Sequence, residues 1–191
     1  MTTMSTDALF THTPGWLAGG DADTLLATLS TDLDWQQREL MIYGKPVRTP
    51  RLTCWVGPAE YRFSGGTEPA HAWHPALAAL RDRLAADLGQ PFNSVMANLY
   101  RDGSDSIAAH KDDEPQLGER PVIASVNLGS MRDFVVKHET TGERRVFPLD
   151  HGDLVVMAGR SQTDWTHAVP KRARVTQPRI NLTFRVWRTQ Q

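Results

Sequence analysis

The C-terminal stretch PRINLTFR, residues 178–185, constrains this chain more than any other. Arg179, Asn181, Thr183 and Arg185 fall at strict two-residue spacing, and Ile180, Leu182, Phe184 and Val186 take the alternate positions. Side chains of a β-strand point to opposite faces in turn, so 179–188 reads as a strand with one apolar and one polar face. The apolar face demands a second layer to cover it. The polar face either meets water or lines an anion site, because two guanidinium forks on one face suit a small dicarboxylate, one fork per carboxylate.

Most of the remaining chain also reads as strand. Runs at 38–43, 59–64, 92–101, 121–128, 132–138, 144–149, 153–158 and 165–169 carry strand-forming residues, with turn chemistry at RDGSD (101–105) and ETTG (139–142). Asp21–Leu33 reads as a short helix with Leu25, Leu26 and Leu29 on one side. HPALAALRDRLAADLG, 74–89, repeats Leu77, Leu80, Leu84 and Leu88 at helical steps, with Pro75 in its first turn and Gly89 closing it. The first 20 residues show no period and read as an irregular lead-in. Helices followed by many short strands predict an α+β protein with an antiparallel sandwich or jelly-roll body. A length of 191 residues suits one domain, with 1–40 a lead-in and short helix belonging to the same domain as 41–191.

Composition narrows the class. No apolar run approaches the ~20 residues of a membrane span, so no membrane partner is expected. MTTMSTDALF lacks the basic start and apolar stretch of a secretion signal. Cys54 is the sole cysteine, which rules out an internal disulfide and makes the reducing cytoplasm the expected location. The net charge of −1 hides an asymmetry: residues 1–40 carry six acids and one base, residues 41–191 carry 16 acids and 20 bases. A polyanion-binding face on the main body is compatible with that distribution, as is scattered surface charge.

AHKDDEP, 109–115, runs a histidine and a lysine into three adjacent carboxylates. If 107–112 is extended, His110 and Asp112 project together and Lys111 points away, and about 6–7 Å of strand lets imidazole and carboxylate converge on one ion. His167, in TDWTHAVP, is the best third ligand. Two histidines and one carboxylate on one side of an iron form the facial triad of non-haem Fe(II) oxygenases. His12, His71, His74, His138 and His151 have no partner at ligand spacing. A triad followed by the two-arginine strand suggests 2-oxoglutarate as cosubstrate.

With these elements the sequence resembles the AlkB family of Fe(II)/2-oxoglutarate dioxygenases, which remove alkyl groups from nucleic-acid bases. The family's elements occur as NLY (Asn98, Tyr100), HKD, His167 and RINLTFR, in the family's order. IYGK (42–45), YRFSG (61–65), HKDDE (110–114), IASVNLG (123–129) and RDFVVKH (132–138) look most like the branch that includes the animal DNA-repair homologue preferring double strands. The resemblance covers roughly residues 40–188 and implies a double-stranded β-helix, a jelly-roll variant, with supporting N-terminal helices. It implies iron on His110, Asp112 and His167. Arg179 and Arg185 would hold the carboxylates of 2-oxoglutarate, assisted by Asn98, Tyr100, Asn181 and Thr183. With O2 as second cosubstrate, the carbon on a base nitrogen is hydroxylated, 2-oxoglutarate becomes succinate, and the hemiaminal collapses to an aldehyde and the free base.

The resemblance also implies a base pocket of Tyr61, Phe63 and Ser64, with Asp113 and Glu114 contacting a cationic base such as 1-methyladenine or 3-methylcytosine. Ile42 and Tyr43 match the wedge that fills the stack behind an extruded base. Arg51, Lys137, His138 and Lys171–Arg174 are candidate phosphate contacts. After RDFVVKH the chain departs from that branch, with the tight turn ETTGE in place of a longer basic segment. Activity as a monomer on both single- and double-stranded DNA is therefore expected, with RNA as an alternative polymer. A protein or small-molecule hydroxylase and a non-catalytic jelly-roll binding module are the competing readings.

Overall fold

The computed structural model describes residues 8–42, 44–63 and 66–189. In chain order the elements are β1 (Phe10–Thr13), α1 (Gly19–Asp32), β2 (Glu39–Ile42), β3 (Lys45–Arg48), β4 (Leu52–Val56), β5 (Tyr61–Phe63), β6 (Gly66–Glu68), α2 (Pro75–Leu88) and β7 (Ser94–Tyr100). There follow β8 (Ile107–His110), β9 (Ile123–Gly129), β10 (Arg132–His138), β11 (Arg144–Leu149), β12 (Leu154–Met157), α3 (Ser161–Asp164), β13 (Trp165–Val169) and β14 (Arg179–Arg185). A six-stranded sheet, ordered β1-β12-β9-β14-β7-β4, faces a four-stranded sheet, ordered β11-β10-β13-β8, and the pairings within both are antiparallel.

The alternation along β14 decides the layering. Ile180, Leu182 and Phe184 turn outward into a cluster with Leu29 of α1 and Leu77, Leu80, Leu84 and Leu88 of α2. Each of the three is fully buried and contributes about 1.5–3 kcal/mol. Helix α2 starts and stops where its sequence directs: a His74 ring nitrogen accepts the Ala76 N–H at 3.2 Å, Pro75 opens the first turn, and Gly89 closes it at φ 64°. A second apolar cluster, including Trp55, Met96, Phe134 and Val136, fills the space between the sheets. The polar side chains of β14 point into that same space.

The runs expected as strands leave out β1, β3, β4 and β6, and β1 and β4 show why. Residues 10–13 form a strand where an irregular lead-in was expected; four residues are too few to show a period. Pairing to β12 and a 2.8 Å His12–Asp153 hydrogen bond hold the segment. LTCWV, 52–56, has no alternation to read because both its faces are covered: Cys54 and Val56 join the helix-side cluster, Trp55 the inner one. Strand β8 ends at His110, so Asp112 lies just beyond it.

Candidate active site

The register of the small sheet builds the first part of the site. His167 of β13 stands directly opposite His110 of β8, which puts both imidazoles on one face with centroids 4.2 Å apart. The chain turns in past β8 and buries Asp112, whose N–H donates to the Gln162 side-chain oxygen at 2.9 Å. Asp112 Oδ1 then lies 3.8 Å from His110 Nε2 and 4.0 Å from His167 Nε2, and the possible ligand atoms all fall within 4.8 Å of one another. His110 Nδ1 bonds the Ala108 carbonyl at 2.9 Å, which leaves Nε2 its lone pair for a metal. Lys111 faces away, as alternation requires, and its ammonium donates to Glu139 and to the Thr163 carbonyl.

The electrostatics suit a cation. Burial, reinforced by the neighbouring His110, pushes His167 down to about 3, so it is neutral and ready to ligate at physiological pH. Burial alone would push the Asp112 carboxyl up, but the Arg185 guanidinium, backed by the two imidazoles, holds it well below the usual carboxylate range. Two imidazoles and one carboxylate converging from one side fit Fe(II).

Strand β14 runs between β7 and β9, and its register sets the second part. Arg179 lies opposite Tyr100, Asn181 between Asn98 and Asn127, and Thr183 opposite Ser125. The face expected to be either wet or anion-binding is buried: Arg179 is 1% exposed and Arg185 5%. Arg185 donates to Asp112 Oδ2 through Nη2 at 2.6 Å and Nε at 3.1 Å. Arg179 donates through Nη2 to Asn127 Oδ1 and lies 5.0 Å from the Tyr100 ring centre. Its Nε and Nη1 are buried without a hydrogen-bond partner, as is Arg185 Nη1. Asn181 donates to Ser125 at 2.7 Å and accepts from Thr183 at 3.0 Å. Burial pushes Arg179 down to about 10. Buried guanidinium donors with nothing to donate to fit an anionic ligand such as a keto-dicarboxylate.

Tyr61 and Glu114 line the same cavity, of about 110 Å³. Tyr61 packs 5.1 Å from Trp55 and 5.5 Å from Trp187, and its hydroxyl donates to Glu114 Oε1. Burial, with Glu114 beside it, pushes the Tyr61 phenol up, so it stays a donor. Glu114 Oε2 is buried with no hydrogen-bond partner.

The sequence matches the family described as the 2OG-Fe(II) oxygenase superfamily over residues 10–185. It is 38% identical over 178 residues to the human DNA oxidative demethylase ALKBH2, covering 86% of this chain and 68% of that protein. The chain belongs to the AlkB family. The human alpha-ketoglutarate-dependent dioxygenase alkB homolog 3 is 42% identical over 182 residues, 90% of this chain, and the match spans 64% of that protein's length. A Pseudomonas putida prolyl-4-hydroxylase superposes with a TM-score of 0.62 at 16% identity, over 96% of this chain and 95% of that one, which establishes the fold alone.

Within this AlkB-family site two of the expected residues are placed differently from the others. Asp113 does not reach the cavity: successive residues of an extended chain face opposite ways, so with Asp112 and Glu114 inward Asp113 is exposed. Arg51 donates its Nε to Asn98 Oδ1 at 2.7 Å inside the cavity and also lines the open groove beside it. Asn98, Tyr100, Arg179, Asn181, Thr183 and Arg185 all line the cavity. Lys137 is exposed, and His138 accepts the Thr140 and Thr141 N–H groups in the β10–β11 turn; neither lines the cavity. Tyr43 and Ser64, and the side chains of Ile42 and Phe63, lie outside the described residues. The sequence reading missed Ser125, Asn127, Met96 and Arg38. Ser125 and Asn127 did carry a signal, two polar residues at strand spacing inside the apolar run IASVNLG, but Arg38 and Met96 carried none.

Proposed function

We propose that this protein oxidatively dealkylates N-alkylated bases of the 1-methyladenine and 3-methylcytosine type in DNA, coupled to conversion of 2-oxoglutarate to succinate. The observation that carries the reading is that one cavity brings together a ligand set for ferrous iron, buried guanidinium donors without partners on Arg179 and Arg185, and a carboxylate, Glu114, with a free buried oxygen. His110, Asp112 and His167 hold iron. Arg179, with Tyr100, takes one carboxylate of 2-oxoglutarate; Arg185, Asn98, Asn181 and Thr183 orient the rest. Bound there, iron, the keto acid and O2 supply the oxidation of the carbon attached to the base nitrogen.

The residues around the base then determine which base enters. A ring alkylated at that nitrogen is cationic, and a desolvated carboxylate favours it over its neutral counterpart. Glu114 supplies that carboxylate, steadied by Tyr61, whose ring adds cation–π attraction. Such a base reaches the pocket by extrusion from its strand, with Ile42 and Tyr43 filling the space behind it. An open groove of about 550 Å³ starts at His110 and carries Arg48, Arg51 and Lys171 without an acidic residue, which suits the phosphates of the flanking strand. One chain carries all of these groups, which accords with activity as a monomer. No helix among the described residues is long and apolar enough to cross a membrane. The buried, unpaired Cys54 accords with a cytoplasmic enzyme.

The test is incubation with Fe(II), 2-oxoglutarate, ascorbate and a 1-methyladenine oligonucleotide, on DNA and on RNA. The expected products are adenine, succinate and formaldehyde. Succinate formed only with a protein or small-molecule substrate would overturn the reading.

A further inference from the structure

The hairpins β2–β3 and β5–β6 are two-stranded sheets that join neither main sheet. Such hairpins are marginal by themselves, so each must be fastened to the body. One buried ion pair touches both. Arg38 immediately precedes β2, and its carbonyl accepts the Thr49 N–H at 2.9 Å, closing the base of the first hairpin. Its guanidinium pairs with the carboxylate of Glu68, the last residue of β6 and the cross-strand partner of Tyr61. That guanidinium also lies 5.2 Å from the Tyr61 ring centre and reaches Met96 Sδ, on the cavity floor, at 3.4 Å. Both side chains of the pair are buried, 11% and 5% exposed.

We propose that the Arg38–Glu68 pair is a latch between the two hairpins that fixes Tyr61, and through it Glu114, in position for the base. Arg38 and Glu68 are therefore positioning residues for base recognition, with no part in holding iron or 2-oxoglutarate. This rests on the base-dealkylation reading. The physical reason is the asymmetry of buried ion pairs: removing one partner leaves a desolvated charge that nothing compensates, whereas removing both is close to neutral. With Glu68 neutralised, Arg38 sits beside Arg51 and Arg185, whose repulsion Glu114 offsets only in part, and it is driven off the Tyr61 ring, carrying the start of β2 with it. The first hairpin then loosens although the change is on the second.

The full chain is compared as wild type, Glu68→Gln, Arg38→Met and the double variant Arg38→Met/Glu68→Gln. In the Fe(II)-loaded enzyme each single variant should raise KM for the 1-methyladenine oligonucleotide roughly ten-fold or more, with KM for 2-oxoglutarate within about two-fold. Amide exchange without substrate should accelerate over residues 39–48 in Glu68→Gln. The double variant, with no unpaired buried charge, should melt within a few degrees of wild type yet keep the raised oligonucleotide KM and the faster exchange. It therefore serves if a single variant fails to fold. Unchanged exchange over 39–48 in Glu68→Gln, or a double variant with wild-type oligonucleotide KM, would overturn the latch. A wild-type enzyme inert on the oligonucleotide would refute the dealkylation reading instead, and the exchange data would still decide whether the hairpins are coupled.

Discussion

Replacing Arg179 with methionine should move fold stability and cosubstrate affinity in opposite directions. The side chain is fully buried, and burial pushes its guanidinium from 12.5 down to about 10. For a cation, a folded-state value below the unfolded one means that the charge destabilises the fold throughout the range below about 10. Relief comes only as pH rises from about 10 toward 12.5, where the unfolded chain binds more protons. At neutral pH the effect is about 3 kcal/mol. Methionine removes the charge and keeps much of the stem, but strands the Asn127 carbonyl at about 1–3 kcal/mol. The net is a stability change between zero and a gain of about 2 kcal/mol, or up to about 4–8 °C in Tm. Meanwhile Nε and Nη1, the donors without partners, are lost. Charge-assisted bonds contribute about 1.5–3 kcal/mol each, so 2-oxoglutarate should bind about 10²- to 10⁴-fold more weakly. Melting curves of the metal-free protein, and titration calorimetry of 2-oxoglutarate into the Mn(II)-loaded form, measure the two effects separately. A markedly lower Tm in the metal-free variant, or wild-type affinity for 2-oxoglutarate, would refute Arg179 as a clamp kept charged at the expense of stability.

Three further outcomes follow from the same geometry. Asp112→Ala should lose iron and turnover together, and should lower the metal-free Tm because Arg185 keeps a buried charge without its 2.6 Å partner; metal analysis and melting check both, and full turnover would remove the metal assignment. The metal-free protein should lose stability as pH falls from 6.5 toward about 3, since the unfolded chain protonates the histidine that the fold keeps neutral at position 167. By about pH 5 the loss from this group is about 2 kcal/mol, measurable as a lower urea midpoint and flattened in His167→Gln. Glu114→Ala should lower kcat/KM on a 1-methyladenine oligonucleotide roughly ten- to hundred-fold while 2-oxoglutarate affinity persists, a split that steady-state kinetics resolves.

What the sequence made legible was whatever repeats at a fixed period or sits at fixed spacing. The leucines of α2 and the alternation of β14 declared both element and face, and His110 with Asp112 declared a shared direction even though β8 stops before the aspartate. Illegible were elements whose stability comes from distant partners. Residues 10–13 become a strand because β12 accepts them, and 52–56 because both faces are covered. Arg38 shows the same limit at the site: nothing within 36–40 announces an arginine aimed at Glu68, thirty positions away, since that pairing exists only once two hairpins lie side by side. Asp113 lies outward although its neighbours Asp112 and Glu114 line the cavity, because alternation along the extended chain turns it away.

The charges of the cavity can be paired off almost completely, and the remainder is informative. Asp112 is matched by Arg185 and Glu68 by Arg38, so neither pair leaves a full charge for a ligand to answer. Arg51 spends its Nε on an amide. What is left over is Arg179, with two idle donors, Glu114, with an idle oxygen, and one Nη1 of Arg185, whose other donors hold Asp112. A buried donor or acceptor without a partner is expensive, so native folds retain few of them. Here Arg179 and Glu114 have opposite sign and line the same cavity as the His110, Asp112 and His167 ligand set. Under the proposed function that arrangement would orient both reactants: a dianionic keto acid would lie against Arg179 and a cationic ring against Glu114, and the reverse placement would set like charges together. Reversing the poles, with Glu114→Lys, should therefore abolish dealkylation of cationic bases while metal-dependent binding of 2-oxoglutarate survives. A Glu114→Lys enzyme that still repairs 1-methyladenine at the wild-type rate would show that the base is not selected by its charge.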